Sequence, residues 1–388
     1  MLQRLFIFLL IFLILPDIYL YLRFIVHLTA KRWLRILYWL PAFLLSAGLL
    51  YLVYFSNNAF AERHTQAIGW FSIFFFLFTA PKLLLSLCTI IGVPFHKWLR
   101  WPRTPFICTG LTLAVISIVM IIYGSFIGRT QFDVKEVTYS SPKLPSAFDG
   151  YRIVQLSDIH IGSWQGNASA IQKLVKLVNE QQADLIVFTG DLVNHRAVEL
   201  NDFQDILSGL KAKDGVYSIL GNHDYGPYFH WKSKDEQDDN LNDLLQRQDA
   251  MGWKLLNNSH TILIQGSDSI ALIGVENEGE PPFSQYADLP EAMRKTEGMF
   301  QILLSHNPTH WRREVLPQTD IDLMLAGHTH AMQLKFGNHS PSSYIYPEWS
   351  GMYLEGTRGL YVNEGIGYVG LPFRFGAWPE ITVLTLRR

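Results

Sequence analysis

Cysteine is almost absent from the 388 residues. Cys88 and Cys108 are the only two, both in apolar stretches near the front, which excludes a disulfide framework and a thiolate metal site from everything that follows. They read as small hydrophobes, and a cysteine-free remainder fits any redox compartment. Acidic residues are scarce as well, but only in one region. Up to Gly128 ten Lys/Arg stand against two Asp/Glu, leaving 22 basic and 32 acidic groups for the remaining residues. That acidic remainder lacks the clustered Lys and Arg that counterion release requires, so no nucleic-acid partner is expected, and an anionic substrate has to be held by metal. Internal repeats and low-complexity tracts are absent too.

What the front part has instead is apolar length. The whole chain is 49% hydrophobic and 14% aromatic, high for a soluble protein, and the excess is concentrated before Gly128. Four stretches, residues 5–26, 34–55, 68–93 and 106–128, reach or exceed the ~20 residues a spanning helix needs. A cleaved signal peptide accounts for only the first of them. Buried helices of a soluble domain are excluded because these runs have no polar face to turn to water.

The loops carry an orientation signal. Arg23, Lys31, Arg32 and Arg35 lie around the first loop and Lys97, Arg100 and Arg103 in the third, whereas the second has Arg63 beside Glu62. The positive-inside bias makes the first and third loops cytoplasmic and the N-terminus and everything past Gly128 extracytoplasmic; Arg129, Lys135 and Lys143 pull the other way. Two ionisable residues interrupt the apolar runs, Asp17 behind Pro16 and Lys82 behind Pro81. Charges at membrane depth are costly, and these two, at similar depth in parallel spans, are expected to pair.

Residues 129–150 read as a strand around Phe132 to Tyr139 followed by a Ser/Pro/Gly linker, and a compact domain is expected over 151–388. Strand and helix periods alternate from there: strand Ile153 to Leu156, helix Ala168 to Gln182, strand Leu185 to Thr189, helix Leu200 to Leu210, strand Val216 to Leu220. This is an α/β pattern with a largely parallel sheet at its start, and Lys232 to Asp243 is a charged insert that opens a solvated helix. In such sheets ligands gather where strands end. Asp158 and His160 follow the first of these strands, Asp191 the second, and Asn222, His223 and Asp224 the third; His306 follows Ile302 to Leu304, and His328 and His330 follow Ile321 to Leu325.

Asp-x-His and His-x-His pairs are each weak signals, and their joint appearance in this order at strand ends is a strong one. Asp158-Ile159-His160, Gly190-Asp191-Leu192, Gly221-Asn222-His223-Asp224, the His306 of Leu304-Ser305-His306-Asn307-Pro308, and Gly327-His328-Thr329-His330 resemble the five motif blocks of the calcineurin-like metallophosphoesterases. The resemblance covers about residues 147–388. Within the family the chain looks most like the membrane-associated or exported branch related to UDP-2,3-diacylglucosamine hydrolases, with Gly365-Ile366-Gly367, Arg374-Phe375 and Pro379-Glu380-Ile381 as further support.

The resemblance implies a four-layer αββα sandwich preceded by a four-helix transmembrane region. It implies two divalent metal ions, the first held by Asp158, His160, Asp191 and His330, the second by Asp191, Asn222, His306 and His328, with Asp191 bridging. Such a pair activates a shared water for in-line attack on phosphorus, and oxygen and imidazole donors without thiolate suit Mn, Fe or Zn. His223 is then free to protonate the leaving oxygen, with Asp224 orienting its ring. The expected reaction is hydrolysis of a phosphoester or pyrophosphate bond, on a lipid or lipid-linked substrate at the bilayer. A catalytically silent scaffold is the competing reading, and it has no need of all seven ligand-type residues. Where the branch often has two glycines after the last histidine, this chain has Ala331 and Met332, a departure that bears on the substrate entrance. His195 and Arg374 are left as a loop residue and a surface ion-pair residue, and no role is assigned to His230, His260, His310 or His339.

Overall fold

The computed structural model describes residues 2–55 and 65–388, in two units: one of residues up to Ile127 with Gly370–Pro372, the other of Gly128–Val369 with Phe373–Arg388. Arg63 and Glu62 lie outside the described residues.

Among the described residues, four helices are long and apolar enough to cross a membrane: Phe6–Leu28, Arg32–Tyr54, Gln66–Leu99 and Thr104–Thr130. The third is longer than expected, because Pro94 does not end it. A proline removes one backbone hydrogen bond, and the helix runs on through His96 and Lys97 to Leu99. Inside the first unit Asp17 is fully buried and Lys82 Nζ stands 2.6 Å from its Oδ1. Tyr38, on the second span, donates to the same carboxylate oxygen at 2.9 Å, and Lys82 also lies over its ring. The expected pair is therefore present, and three helices meet at it. Removing one partner strands a charge in an apolar surrounding.

The second unit is built on two six-stranded sheets. The first has the order β1-β12-β2-β3-β4-β5, from β1 (Asp133–Ser140), β12 (Glu380–Arg387), β2 (Arg152–Leu156), β3 (Leu185–Phe188), β4 (Val216–Ser218) and β5 (Trp253–Leu255). The second has the order β10-β11-β9-β8-β7-β6, from β10 (Gly351–Glu355), β11 (Arg358–Val362), β9 (Leu323–Ala326), β8 (Phe300–Leu304), β7 (Asp268–Gly274) and β6 (Ser259–Gln265). β2 to β5 run parallel, as do β7, β8, β9 and β11.

Side chains alternate across each strand, and this sorts them into layers. Ile153, Leu185, Val187, Ile270, Leu272, Ile302, Leu304, Leu323 and Leu325 pack together between the sheets. Val154, Leu156, Ile186 and Phe188 face outward onto Ile171, Leu174 and Val178 of the helix Ala168–Glu180. On the opposite side, Ala271, Ile273, Leu303 and Met324 pack on Trp311 and Val315. Strands buried on both faces read as unbroken apolar runs, which is why alternation was invisible in the sequence. The result is the four-layer αββα sandwich.

Two expectations are corrected. Residues 141–150 are no linker: Leu144 and Phe148 are buried in the core, and β1 pairs with β12 along its full length. The helix expected over Leu200 to Leu210 shrinks to Gln204–Leu207 after a 3-10 turn, Ala197–Leu200. The charged insert does open a helix as expected, Lys234–Ala250, capped by Ser233 accepting from the Glu236 N–H.

The membrane pair gives a prediction. Exchanging the two charges (Asp17→Lys with Lys82→Asp) preserves a neutral pair and is expected to express and melt closer to wild type than Asp17→Ala, which leaves Lys82 alone. Thermal melting in detergent checks it; a swap no better than the single alanine shows that the pair adds nothing.

Candidate metal centre

Five parallel strands, β2, β3 and β4 of one sheet and β8 and β9 of the other, end at one edge of the sandwich and deliver all the motif residues there. The chain must turn sharply at these ends, and five of the seven expected ligands have left-handed backbones: Asp158 (φ 51°), His160 (45°), Asp191 (60°), His328 (74°) and His330 (49°). Asp and His tolerate this region better than most residues, and strain of this kind gathers at functional sites. Gly327 is there because a Cβ would overlap the Ser157 hydroxyl and the Asp158 carboxylate.

The side chains converge. Asp158 Oδ1 is 3.2 Å from His330 Nε2 and 4.0 Å from His160 Nε2, and the two imidazole nitrogens are 3.1 Å apart. Asp191 Oδ2 lies between this group and a second one, 3.6 Å from His160 Nε2 and 3.3 Å from His306 Nε2. His328 Nδ1 is 3.3 Å from His306 Nε2. The Oδ1 of Asn222 is buried with no partner, although its Nδ2 donates to the Tyr228 hydroxyl at 3.0 Å. A partnerless amide oxygen and two close nitrogen–nitrogen approaches are what a cation satisfies. The donors fit two divalent ions, and Asp158, His160 and His330 on one side and Asp158, Asp191 and His306 on the other have ligand atoms within reach of a common ion.

The charges are consistent with this. Burial raises the Asp158 carboxyl, but the charge and hydrogen bond of His330, with His306 beyond, hold it below the usual carboxylate range. Burial and the nearby His306 push His328 down to about 3, the neutral form a metal needs. Burial also lowers His306, yet Asp191, Asp158 and the Thr189 carbonyl raise it to about 10, so an ion binding there displaces a proton.

A sequence profile described as calcineurin-like phosphoesterase matches residues 151–332. A Bacillus subtilis metallophosphoesterase, YkuE, is 31% identical over 282 residues, covering 68% of this chain and 89% of the relative. The chain belongs to the calcineurin-like phosphoesterases. A second profile, described as a probable calcineurin-like phosphoesterase transmembrane domain, matches residues 3–129. A Danio rerio transmembrane protein with metallophosphoesterase domain is 31% identical over 284 residues, 71% of this chain; the alignment spans 62% of that relative, less than two thirds of its length. A Helicobacter pylori metallophosphoesterase is 28% identical over 365 residues and 92% of both chains.

In this phosphoesterase, two residues behave differently from expectation. Asp224 does not reach the His223 ring. It is fully buried, and its two oxygens accept the N–H groups of Asp191, Leu192, Val193 and Gly221 at 2.8–3.2 Å, tying the second and third motif loops together. The His223 Nδ1 donates instead to the Asn194 carbonyl at 2.7 Å, while its backbone N–H donates to Asp191 Oδ1 at 2.8 Å. The ring stands edge-on to His160 with centroids 4.7 Å apart, and His223 also lies within reach of an ion shared with His160 and Asp191.

Arg374 is not on the surface. It is fully buried behind the centre, with Nη2 2.9 Å from His330 Nδ1 and the other donors on the carbonyls of Gly367, Ala377 and Glu364. A planar fork with five donors meets four fixed acceptors, a task lysine cannot perform. The sequence carried its signal in the Gly365-Ile366-Gly367 and Arg374-Phe375 run. Tyr346, whose hydroxyl is 3.2 Å from His328 Nε2, and Asn194 had none. His195 lies beside His223 with ring centroids 6.2 Å apart, and burial followed by the His223 charge lowers it to about 4. His310 is buried against Ser305 and Glu314, a packing role. His328 is also flanked by Phe283, edge-on at 4.7 Å.

The residues that stand where the branch often has glycine are strained. Ala331 (φ 48°) and Met332 (46°) both adopt the left-handed backbone that glycine would enter freely. The loop keeps its glycine-like path, and Met332 adds an exposed apolar side chain next to His330.

Proposed function

We propose that this chain is a membrane-anchored hydrolase of a phosphoester or pyrophosphate bond, with Asp158, His160, Asp191 and His330 holding one divalent ion and Asp191, Asn222, His306 and His328 the other. The observation that carries this reading is the Asp191 carboxylate, whose Oδ2 lies 3.6 Å from His160 Nε2 and 3.3 Å from His306 Nε2. When bound there, two ions would neutralise phosphate charge and supply an activated water.

The remaining steps fall to the chain's own residues. In that hydrolysis the water oxygen would bond to phosphorus, giving up a proton to solvent, as the bond to the leaving oxygen breaks, and the leaving oxygen would take a proton from His223 Nε2. His223 suits this because the Asn194 carbonyl occupies Nδ1 and fixes the ring, leaving Nε2 for the substrate. Asp224 holds the backbone of both loops that carry Asp191 and His223. The substrate is proposed to be a lipid or lipid-linked ester. The support is the anchor: the fourth span ends at Thr130 and β1 begins at Asp133, so the domain is tethered at the bilayer.

The basic residues of the first and third loops support an extracytoplasmic catalytic domain. Fusions after Arg388 test this: alkaline phosphatase is expected to be active and a green fluorescent fusion dark, and the reverse pattern places the domain in the cytoplasm.

Asp191→Ala and His223→Ala are expected to fail in different ways. Asp191→Ala removes the shared ligand, so bound metal and activity fall together. His223→Ala keeps its metal and loses about 10²-fold to 10⁴-fold on an alkyl ester such as glycerol phosphate or a glycerophosphodiester, much less on a para-nitrophenyl ester, whose leaving group needs no proton. Metal analysis with paired rates decides: a metal-free His223→Ala protein, or equal losses on both esters, makes His223 a ligand or structural residue.

A further inference from the structure

Glu199 has no part in the chemistry described so far, yet its carboxylate occupies an unusual place. It sits on the 3-10 turn Ala197–Leu200, where a glutamate in this position commonly reaches back to one N–H, that of the capping residue Arg196. Here it does more. Oε1 accepts the N–H groups of His195 at 2.9 Å and Arg196 at 3.0 Å, and Oε2 accepts that of Asn194 at 2.7 Å. The Gly162 N–H, from the loop that follows the ligand His160, also donates to it. Gly162 has to be glycine for this, since a Cβ there would overlap Glu199 Oε2.

The His195 N–H and the Asn194 carbonyl are two ends of one peptide group. That group is planar, so fixing the direction of its N–H fixes the direction of its C=O. At the nitrogen end stands Glu199, and at the oxygen end stands His223 Nδ1, 2.7 Å away. A carboxylate drawing on the N–H also polarises the carbonyl, which strengthens its hold on the imidazole Nδ1–H. The usual partner of such a histidine is a carboxylate in direct contact; here a carboxylate acts through one peptide unit.

We propose that Glu199 is a positioning residue for proton transfer, orienting the His223 ring through the Asn194–His195 peptide. This rests on the reading of His223 as the general acid, and the test separates the two. Glu199→Gln keeps the size of the side chain but places an amide NH₂ among N–H donors. Gly162→Ala keeps the carboxylate and pushes it aside.

Both variants are expected to retain wild-type metal content. On the glycerol ester they lose about tenfold to 10²-fold in kcat, the cost of misaligning a reacting group, and on the para-nitrophenyl ester less than about threefold. In His223→Ala, adding Glu199→Gln produces no further loss, because residues acting through one another are not additive. If His223→Ala separates the two esters and neither Glu199→Gln nor Gly162→Ala does, or if the double variant is slower than His223→Ala, the positioning role is wrong. If His223→Ala itself fails to separate the esters, the general acid is wrong and the role of Glu199 falls with it. Should Glu199→Gln not fold, Gly162→Ala decides on the same criteria.

Discussion

A carboxylate buried among imidazoles is the constraint on which the catalytic unit rests. Asp191 is nearly inaccessible, and so are Asp158, His160 and His306 around it. Taking such groups out of water is expensive unless opposite charge and hydrogen bonds compensate. The protein compensates in part: Asp191 Oδ1 accepts the His223 N–H, both Asp158 oxygens accept the His328 N–H, and the Thr189 carbonyl accepts from His306 Nδ1. What remains, an unpartnered Asn222 oxygen and imidazoles facing imidazoles, calls for cations.

Much else in the fold follows from bringing these groups together. Two sheets stack on a shared apolar core so that five parallel strands end at one edge. Backbone that turns immediately after a strand is forced left-handed at Asp158, His160, Asp191, His328 and His330, and the strain is sustained by the packing around it. Behind these side chains fixed partners set ring orientation: Arg374 donates to His330, and the Thr189 and Asn194 carbonyls accept from His306 and His223.

The strands and the polar residues that converge at their ends were legible because each leaves a local mark: an apolar run, then a polar residue of a few types. The membrane pair was legible for a related reason, since Asp17 and Lys82 are conspicuous in apolar surroundings. What escaped was anything decided by a backbone atom or by distant packing. The partner of His223 is a carbonyl, which every residue has, so side-chain chemistry pointed to Asp224 instead. Arg374 read as a surface residue because three of its four acceptors are backbone carbonyls, which leave no mark in the sequence. The Ser/Pro/Gly composition of residues 141–150 hid two core residues, Leu144 and Phe148, and the third spanning helix runs on past residue 93 to Leu99.

Four spanning helices hold an acidic domain to a bilayer, and an acidic domain that acts on phosphate needs its positive charge from elsewhere. Two ions sharing Asp191 would supply it. Crystals of the full chain grown with manganese and measured at the metal's absorption edge test this directly. Two anomalous peaks about 3.5–4 Å apart, one on each side of the Asp191 carboxylate, are the predicted result. A single peak, or two peaks that do not share Asp191, would contradict it.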